Sequence, residues 1–539
     1  MSATTLFAAP AVSTLAAYAG PWTFLQAAHL LRRATFAPTK NEIDEAVALG
    51  LNGSLQRLFS SIPLPAPPVY YDYEGHTQAG LGDTWIDLPI ENTDRTGDGN
   101  ARRRSMDAWW ILSTAADGFT VREKMLLFWH NHFGIADTND MRVVYRFMTH
   151  YRNFATGNFR ELMKVMTIDP AMLVFLNGNS NTAANPNENF AREILELFTI
   201  GKGPQVAPGD YTNYTELDVA ELAKAFTGWR TRYFNSVNPD QTGESYFQAN
   251  RHDTSTKRLS HRFGNAEIPN NGEDEYKDVV DLIFQQDEVA RYLCRKLYRH
   301  FVYYKITPGI EQSVIAPMAQ ILLDNDYEVG PALQALLGSE HFFEMSIVGD
   351  MIKTPLEFVH SIFRVTNFYA QANITDTYLA ARVAAVHARD TGMELRNPPS
   401  VAGWTAYYQE PSFYRLWLNT TTIQQRTTFQ RDATLRWFFF NRQRRYVNWL
   451  ALLEDFANPF DANAMVAEMA QRFFPQPLLA EQLIAVKELL LPGLEDFVWT
   501  GEYANYTANP DDANLRESVS KRLTDMMFGM LQLAEFQVN

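Results

Sequence analysis

Apolar residues recur at spacings of three and four over most of the chain, which is the period of one face of an α-helix. The pattern is clear at 21–33, 104–116, 121–132, 140–155, 159–167, 189–200 and 216–229, and it continues from residue 274 to an amphipathic tail at 515–536. Sustained alternation of apolar and polar residues, the signature of a half-buried strand, is nearly absent. We therefore predict a mainly α protein, a large multi-helix globular domain with more than half of its residues in helix.

Two long regions and one loop interrupt the helical pattern. Residues 60–100 are rich in Pro, Gly and Asp, and residues 230–272 are polar and aromatic, so both are predicted to be irregular insertions that hold most of the strand. The alternation in SYFQAN, at 245–250, indicates a short strand or hairpin. The third segment, 397–416, is rich in aromatic residues. We predict one helical domain, 1–539, with a possible C-terminal helical subdomain at 405–539.

Composition and charge narrow the functional classes. Hydrophobic residues make up 46% of the 539 positions and aromatic residues 13%, which suits a large core and not a disordered chain. The formal net charge of −15 opposes binding to a phosphate backbone, so nucleic acid is not an expected partner. Because Cys294 is the single cysteine, a disulfide framework and a cysteine-based zinc cluster are excluded.

The sequence carries no membrane-spanning signal. No uncharged apolar run is long enough to cross a bilayer, which excludes an integral membrane protein. An apolar, Ala-rich stretch lies at 6–20, but no Lys or Arg precedes Arg32. The N-terminus therefore lacks the positively charged start of a typical secretory signal.

The strongest polar cluster in an apolar setting is FWHNHFG, at 128–134, which closes a predicted helix on a glycine suited to a C-cap. His130 and His132 are two positions apart, so on an α-helix they point about 200° apart. They can bind one metal only if the helix has already unwound at His132; otherwise one ligates and the other supports it. The alternative is that both are hydrogen-bonded histidines at a buried helix end.

The segment NENFAREILELFTIG, at 187–201, predicts a helix with two stripes. The apolar stripe consists of Phe190, Ile194 and Leu197, and the adjoining polar stripe consists of Asn189, Arg192, Glu193 and Glu196. Two carboxylates on neighbouring turns suit a general acid/base pair or a hard divalent cation. The alternative is a solvated or interhelical face on which Arg192 pairs with Glu188 and Glu196.

A third candidate is RHD, at 251–253, followed in the same polar loop by Lys257 and His261. A loop histidine beside an aspartate is a common arrangement for a metal, a base or a substrate contact, but such dipeptides also occur by chance. The other histidines, His150 among them, lie in helical patterns and are expected to be core or surface residues. No nucleotide-binding glycine motif, zincin motif, nucleophile elbow or EF-hand loop is present.

Eight segments follow one another along the chain: HLLRRATFAPT (29–39), KMLLFWHNHFG (124–134), NENFAREILELFTIG (187–201), YTELDVAELAKAFTGW (214–229), HDTSTK (252–257), VARYLCRKLYRHFV (289–302), IKTPLEFV (352–359) and PPSVAGW (398–404). In this order they resemble the motifs of the family called domain of unknown function 1800. The polar residues that match are His130, Asn131, His132, Asn187, Glu188, Asn189, Arg192, Glu193, Glu196, Asp218, His252 and Asp253.

The resemblance implies a cellular location and a partner, but no particular reaction. Its members are bacterial, often exported, and often encoded beside a protein similar to the alkaline-phosphatase and sulfatase superfamily, domain of unknown function 1501. The resemblance therefore favours a periplasmic or extracellular location, a protein of that kind as partner, and a polysaccharide or other surface polymer as target. No settled biochemical activity comes with it.

Two hypotheses from different classes follow. The first is a hydrolase or lyase with a site between helices and the 230–272 region, acting on an envelope or extracellular polymer such as a polysaccharide. Its candidate catalytic residues are His130, His132, Arg192, Glu193 and Glu196. Its candidate substrate-binding residues are Asn189, Trp229 and Trp404. A divalent metal is possible, with His130, His132, His252 and Asp253 as ligands.

The second hypothesis is a non-catalytic envelope scaffold or partner subunit, in which the same polar residues form a buried network that sets helix register. A metal-dependent oxidoreductase is a third reading, which no haem or flavin motif supports. The sharpest structural expectation is that three groups converge on one pocket, namely His130 or His132, Glu193, and His252 or Asp253. We also expect Trp229 and the 398–404 loop to lie together at its rim.

Overall fold

The computed structural model describes residues 14–136 and 138–539, and 55% of the chain is helical, which confirms the predicted mainly α class. The helices of the first half are α1 (Phe24–Ala34), α2 (Lys40–Leu58), α3 (Arg95–Ala116), α4 (Arg122–His132), α5 (Met141–Asn153), α6 (Phe159–Ile168), α7 (Pro170–Phe175), α8 (Glu188–Glu193), α9 (Glu216–Ala225), α10 (Glu275–Ile283) and α11 (Asp287–Phe301). The start of the apolar stretch at 6–20 lies outside the described residues.

The second half is also built from helices. They are α12 (Pro308–Ile310), α13 (Ala316–Asp324), α14 (Val329–Leu337), α15 (Pro355–Phe363), α16 (Ile374–Asp390), α17 (Thr420–Thr434), α18 (Ala462–Phe473), α19 (Ala480–Leu490), α20 (Asp496–Ala508) and α21 (Ala513–Gln532). Two stretches are π-helical, Ile194–Thr199 directly after α8 and Glu311–Ile315 directly after α12. Within the described residues, no helix is both long and apolar enough to span a membrane.

Strands occur as four antiparallel two-stranded hairpins in the described residues. They pair β1 (Gln205–Ala207) with β2 (Asp210–Tyr211), β3 (Trp229–Arg232) with β4 (Glu244–Phe247), β5 (Lys257–Arg258) with β6 (Glu267–Ile268), and β7 (Phe438–Phe440) with β8 (Gln443–Arg445). The predicted hairpin at SYFQAN is present, with Trp229 opposite Phe247. The first and last hairpins lie outside the two regions where strand was expected.

The irregular region after residue 60 is shorter than predicted. Helix α3 begins at Arg95, nine positions before the predicted start at 104, because the Asp94 side chain caps it by accepting from the Gly97 amide at 2.9 Å. One turn later, the buried Asp98 accepts from Arg102 at 2.9 Å. Local capping and a buried ion pair thus outweigh the low helix propensity of the two glycines in this turn.

The centre of the molecule contains helices that are buried on every side. All nine residues of α15 are buried, and so are the residues of α4 from Glu123 to His130. Helix α4 nevertheless carries charges, and each has a partner. Glu123 accepts from Arg152 at 2.6 and 2.9 Å, and Lys124 donates to Glu357. This satisfied polar interior is what positions the histidines at the end of α4.

One hydrophobic cluster of buried residues extends along the chain from Ala27 to Phe536. Helix α17 contacts both α16 and α21, which places the C-terminal helices against the rest of the body. The single domain at 1–539, with a possible subdomain at 405–539, stays a prediction that limited proteolysis would test.

Candidate functional site

His132 is the last residue of α4, and its ring is fixed in one tautomer. Its Nε2 lies 2.9 Å from the Phe198 carbonyl, which can only accept, so this nitrogen carries the proton. The Nδ1 lone pair is then free to accept a hydrogen bond, and it does so from Lys296 Nζ at 3.1 Å. His132 is therefore a buried, neutral imidazole with both nitrogens used, as the alternative to a metal ligand predicted.

Lys296, on α11, is the residue that the sequence reasoning missed. Its Nζ also donates to the Leu197 carbonyl at 2.9 Å and lies 4.9 Å from the centre of the Tyr292 ring. The side chain is partly exposed. Burial lowers the pKa of Lys296 to about 7, and the charge of Arg299 adds to the effect. In the sequence this lysine is one of several cations on an amphipathic helix, and nothing marks it.

The carbonyls that receive His132 and Lys296 belong to the π-helix Ile194–Thr199, where the sequence predicted a continuous α-helix. Tyr292 also donates there, to Leu197 O at 3.1 Å. A π-helix shifts the hydrogen-bond register by one residue, and such stretches occur frequently at functional sites. The apolar stripe of NENFAREILELF thus leads into a short segment whose backbone carbonyls accept hydrogen bonds from polar side chains.

Arg299 lies on the same face of α11, one turn after Lys296. Its Nε donates to Tyr304 O at 3.3 Å, and its guanidinium lies 5.3 Å from the centre of the Phe413 ring. Burial lowers the pKa of Arg299, while the more distant Glu410 carboxylate raises it. Neither Lys296 nor Arg299 makes an ion pair with any residue that the structure describes. We call these two side chains the cation pair.

His130 is in a different environment from His132. Both of its ring nitrogens are buried without a hydrogen-bond partner, and the ring lies edge-on to Trp110 at 5.0 Å and against Trp404 at 5.6 Å. Burial lowers the pKa of His130 to about 3, and Arg396 lowers it further. The imidazole is therefore neutral at physiological pH.

The PPSVAGW loop closes over this end of α4. The Trp404 amide donates to Asn131 Oδ1 at 2.9 Å, and Gly403 has φ +87°, with space for no side chain because a Cβ would lie 2.3 Å from that oxygen. Trp404 itself is buried. It contacts a candidate histidine, but as a core residue and not as the exposed ligand platform that was expected.

The polar stripe of α8 is mainly a surface ion-pair network. Arg192 donates to Glu216 at 2.8 Å, and its guanidinium lies 3.8 Å from Glu188, as the predicted i, i+4 pairing requires. Asn189 is exposed. The new partner, Glu216, comes from α9 and ties the two helices together.

The two glutamates of the stripe differ. Glu196 accepts from Tyr214 at 2.9 Å and lies 3.6 Å from Lys202, so it does not pair with Arg192. Glu193 is half-buried. Burial raises its pKa above the ordinary value for a glutamate, and the nearby charge of Glu196 raises it further. Glu193 therefore holds a proton more readily than an ordinary glutamate does.

The RHD loop forms a separate buried network. His252 Nδ1 donates to Thr227 O at 2.9 Å, and Nε2 lies 3.0 Å from Glu275, whose other oxygen is 2.6 Å from Lys257 Nζ. Burial lowers the pKa of His252, but Glu275 and the Thr227 carbonyl raise it by more, so the net shift is upward. Asp253 accepts from nearby backbone and lies 3.7 Å from Lys257.

Trp229 belongs to yet another environment. Its ring packs at 5.7 Å from Phe247 and edge-on at 5.6 Å from Tyr276, whereas the ring contact of Trp404 is with His130. The described contacts thus give the two tryptophans no common partner. Their predicted meeting at the rim of one site has no contact that supports it.

The contacts of His130, His132 and His252 likewise have no residue in common. Across residues 14–136 and 138–539, no group of three or more His, Cys, Asp or Glu side chains is placed to hold a metal ion. His130, His132, His252 and Asp253 therefore do not fit a shared divalent metal. What the structure does bring together is FWHNHFG, NENFAREILELF, PPSVAGW and the α11 motif, around one end of α4.

Comparison with known proteins identifies the family. A segment of 123 residues is 24% identical to a protein of Saccharomyces cerevisiae (strain ATCC 204508 / S288c) named metallothionein expression activator, and it covers 22% of this chain and 15% of that protein. No solved structure matches the chain. The model of the family described as a protein of unknown function, DUF1800, matches residues 29–500, which begins at the first motif and includes all eight. The chain belongs to the DUF1800 family.

Proposed function

We propose that this protein is a lyase that cleaves a carboxylate-bearing polymer, with Lys296 as the base and Arg299 as the partner of the substrate carboxylate. The observation that carries the proposal is the cation pair, two partly exposed side chains on one face of α11 without an ion-pair partner among the described residues. In a chain of net charge −15, half-buried cations are expected to have carboxylate partners. An anionic ligand would supply the missing charge.

The hydrogen bonds of Lys296 suit a base. A neutral amine has two hydrogens and one lone pair, and the two acceptors in place are His132 Nδ1 and the Leu197 carbonyl. Both hydrogens are thereby used, so the lone pair is left to take a proton from a ligand. With its pKa lowered to about 7, a large fraction of Lys296 is neutral at physiological pH.

Elimination uses both members of the cation pair. In a uronate-type polymer, the carbon that bears the carboxylate also carries the hydrogen to be removed. Pairing of that carboxylate with Arg299 neutralises its charge and stabilises the carbanion that develops. The proton moves to Lys296, the electron pair forms a carbon–carbon double bond, and the bond to the linking oxygen breaks. The departing oxygen takes the proton back from Lys296, which restores the neutral amine.

The location and the partner that the family resemblance implied fit this chemistry. An anionic polymer outside the cytoplasm is a substrate on which a phosphatase- or sulfatase-like partner of the domain of unknown function 1501 would also act, by removing ester groups. Both the location and the partner are part of the proposal. Tyr292, under the Lys296 amine, offers an aromatic surface for a sugar ring.

The test is incubation of the purified protein with a panel of polyuronides, with the new unsaturated carboxylate followed by its ultraviolet absorbance. We expect cleavage of at least one polymer, with a rate that rises as the pH passes through about 7. Lys296→Met is expected to lower kcat by roughly 10²- to 10⁴-fold. Arg299→Gln should both raise KM and lower kcat, since its contact binds the substrate carboxylate and also stabilises the carbanion that develops.

The matched control is Lys521→Met, which makes the same substitution at an exposed lysine on α21 that pairs with Asp525. It should leave the rate unchanged. The proposal is contradicted if no polyuronide is cleaved, or if Lys296→Met cleaves as fast as this control.

A non-catalytic scaffold is the second candidate, and a specific observation favours it. Two motif clusters, Lys124 with Glu357 and His252 with Lys257 and Glu275, are buried and satisfied among themselves. Groups arranged in this way fix helix register and need no ligand. On this reading the chain would bind the envelope partner without chemistry, and the cation pair would be a docking point for an acidic surface.

A further inference from the structure

His150, which was predicted to be a core or surface residue, is partly exposed near the C-terminal end of α5. It lies on the wall of a cavity of about 510 Å³ that is open to solvent and is bordered by α5, α6, the start of α7, β4 and α10. We call this cavity the His150 pocket. It has no lining residue in common with the cation pair or with the end of α4.

A buried carboxylate lies behind the imidazole. Asp169 caps α7, and its Oδ1 accepts from the Ala171 amide at 2.8 Å, while Oδ2 is 3.8 Å from His150 Nε2. The side chain of His150 is 36% exposed and that of Asp169 is 3% exposed. The cap uses one oxygen, and the other, which is too far from Nε2 for a hydrogen bond, acts on the ring through its charge. A carboxylate close to a histidine that faces a cavity stabilises the imidazolium that forms when the ring acts as a base.

The other charged groups around the pocket are already paired. Lys164 lies 3.0 Å from Glu161 and 2.8 Å from Asp281, and Lys277 lies 2.6 Å from Asp274.

Arg146, one turn before His150 on α5, acts on Asp169 through its charge, which lowers the pKa of that carboxyl. It donates to the Thr242 hydroxyl at 2.6 Å and to two backbone carbonyls. Burial lowers the pKa of His150, and the charge of Arg146 adds to this, while burial raises the pKa of Asp169 to about 7. The imidazole is therefore neutral and able to accept a proton at neutral pH.

The remaining lining is suited to a small uncharged group. Phe154 and Tyr276 supply apolar walls, and Trp229 packs edge-on behind Tyr276. Ser245, from β4, adds a hydroxyl that makes no side-chain hydrogen bond within the described residues. Aromatic walls with a few polar groups are typical of pockets that bind small neutral ligands.

We propose that the His150 pocket is a second, hydrolytic site, which takes a carboxylic ester such as an acyl group carried on a sugar. His150 removes a proton from a water molecule, whose oxygen attacks the ester carbonyl. The carbon–oxygen bond to the alcohol then breaks, and the alcohol oxygen takes the proton from the imidazolium. An acid and an alcohol result, and no further reactant is needed. Asp169 is a positioning residue whose ionised carboxylate, 3.8 Å from Nε2, stabilises the charged form of the ring.

The experiment measures hydrolysis of p-nitrophenyl acetate and of an acetylated sugar by the full chain. We expect His150→Asn to lower kcat by roughly 10²- to 10⁴-fold. Asp169→Asn is the informative variant, because asparagine keeps the helix cap but loses the charge. It should fold normally, lower kcat at least tenfold, and shift the acid limb of the pH profile, which a purely structural role would not do.

Two further variants make the result decisive. Lys521→Met should leave ester hydrolysis unchanged, since that exposed lysine on α21 does not line the pocket. Ser245→Ala should change KM more than kcat. Equal rates in wild type and His150→Asn would overturn the site. Loss of kcat in Ser245→Ala, together with an acylated Ser245 in the wild type by mass spectrometry, would overturn attack by water.

Discussion

Two lysines of the motif helices, Lys124 on α4 and Lys296 on α11, differ in whether a carboxylate matches their charge. Lys124 is 3% exposed and donates to Glu357, which is 6% exposed, so its charge is matched inside the core. Lys296 is only partly exposed, and its neighbours are a neutral imidazole, a carbonyl and Arg299. A matched charge contributes to the fold, whereas an unmatched one costs stability unless a ligand binds it.

The same contrast separates the two histidine motifs. His252 has acceptors on both nitrogens, Thr227 and Glu275, which favour its charged form. His130 has aromatic neighbours and no hydrogen-bond partner, which favour the neutral form. Polar residues that look alike in a motif therefore differ in role. Those with hydrogen-bond partners serve the structure, and those without such partners are left free for other interactions.

The largest loss of stability is expected for a substitution at Glu357. Glu357→Gln keeps the side-chain oxygen that accepts from the Thr354 amide at 2.7 Å, but removes the charge that matches Lys124. We expect a loss of about 3–5 kcal/mol in the free energy of unfolding, since the change leaves a buried ammonium unpaired. Denaturation in urea would measure it.

Two control variants are expected to lose much less stability than Glu357→Gln. Glu267→Gln removes a carboxylate whose pair with Arg258 is exposed, at 59% and 75%, and should cost less than about 1 kcal/mol. Lys296→Met should leave stability unchanged or higher, because it removes an unmatched charge. A loss of stability in Lys296→Met as large as that in Glu357→Gln would refute the distinction between the two lysines.

His130 and His252 are expected to make folding stability depend on pH in opposite directions. Folding lowers the pKa of His130 to about 3 from an unfolded value near 6.5, so between these values the unfolded chain binds more protons. The contribution of neutral His130 to folding stability is therefore fully present above about pH 6.5 and is lost as the pH falls toward 3. We expect His130→Phe to flatten this acid limb by several tenths of a kcal/mol per pH unit or more.

His252 has the opposite sign, and that serves as the internal check. Its pKa is raised on folding, so the stability it contributes is present below the unfolded pKa and is lost as the pH rises through the folded pKa. His252→Gln should therefore weaken the protein more in mild acid than at alkaline pH. Unfolding measured from pH 4 to pH 8 would reveal both signs, and identical pH profiles for the two variants would contradict the assigned environments.

The smallest effect is expected on the surface of α8. Arg192→Gln removes the 2.8 Å contact with Glu216, but the guanidinium is 29% exposed and the carboxylate 40% exposed. Solvent screens such a pair, so we expect a change of less than about 1 kcal/mol that fades further in high salt. A thermal melt at low and high salt would measure it. A much larger loss would show that Arg192 belongs with the matched core charges after all.

Periodicity alone determined the fold class, most helix positions and the hairpin at SYFQAN, because apolar spacing reports the local period of the backbone. The order of eight motifs was enough to indicate the family. Helix boundaries were less predictable where a cap intervened, as at Asp94, and the π-helical shift within NENFAREILELF left no mark in the apolar spacing.

Which polar residues pair with one another was set by tertiary packing. Glu357 lies 233 positions from Lys124, and Lys296 lies 164 positions from His132, so no local pattern links them. The sequence placed His132, Glu193 and His252 on one list because they are polar residues within motifs. Packing then placed His132 and His252 among different neighbours and singled out Lys296 and His150. The cost of a buried charge depends on what surrounds it in space, and spacing along the chain does not encode those surroundings.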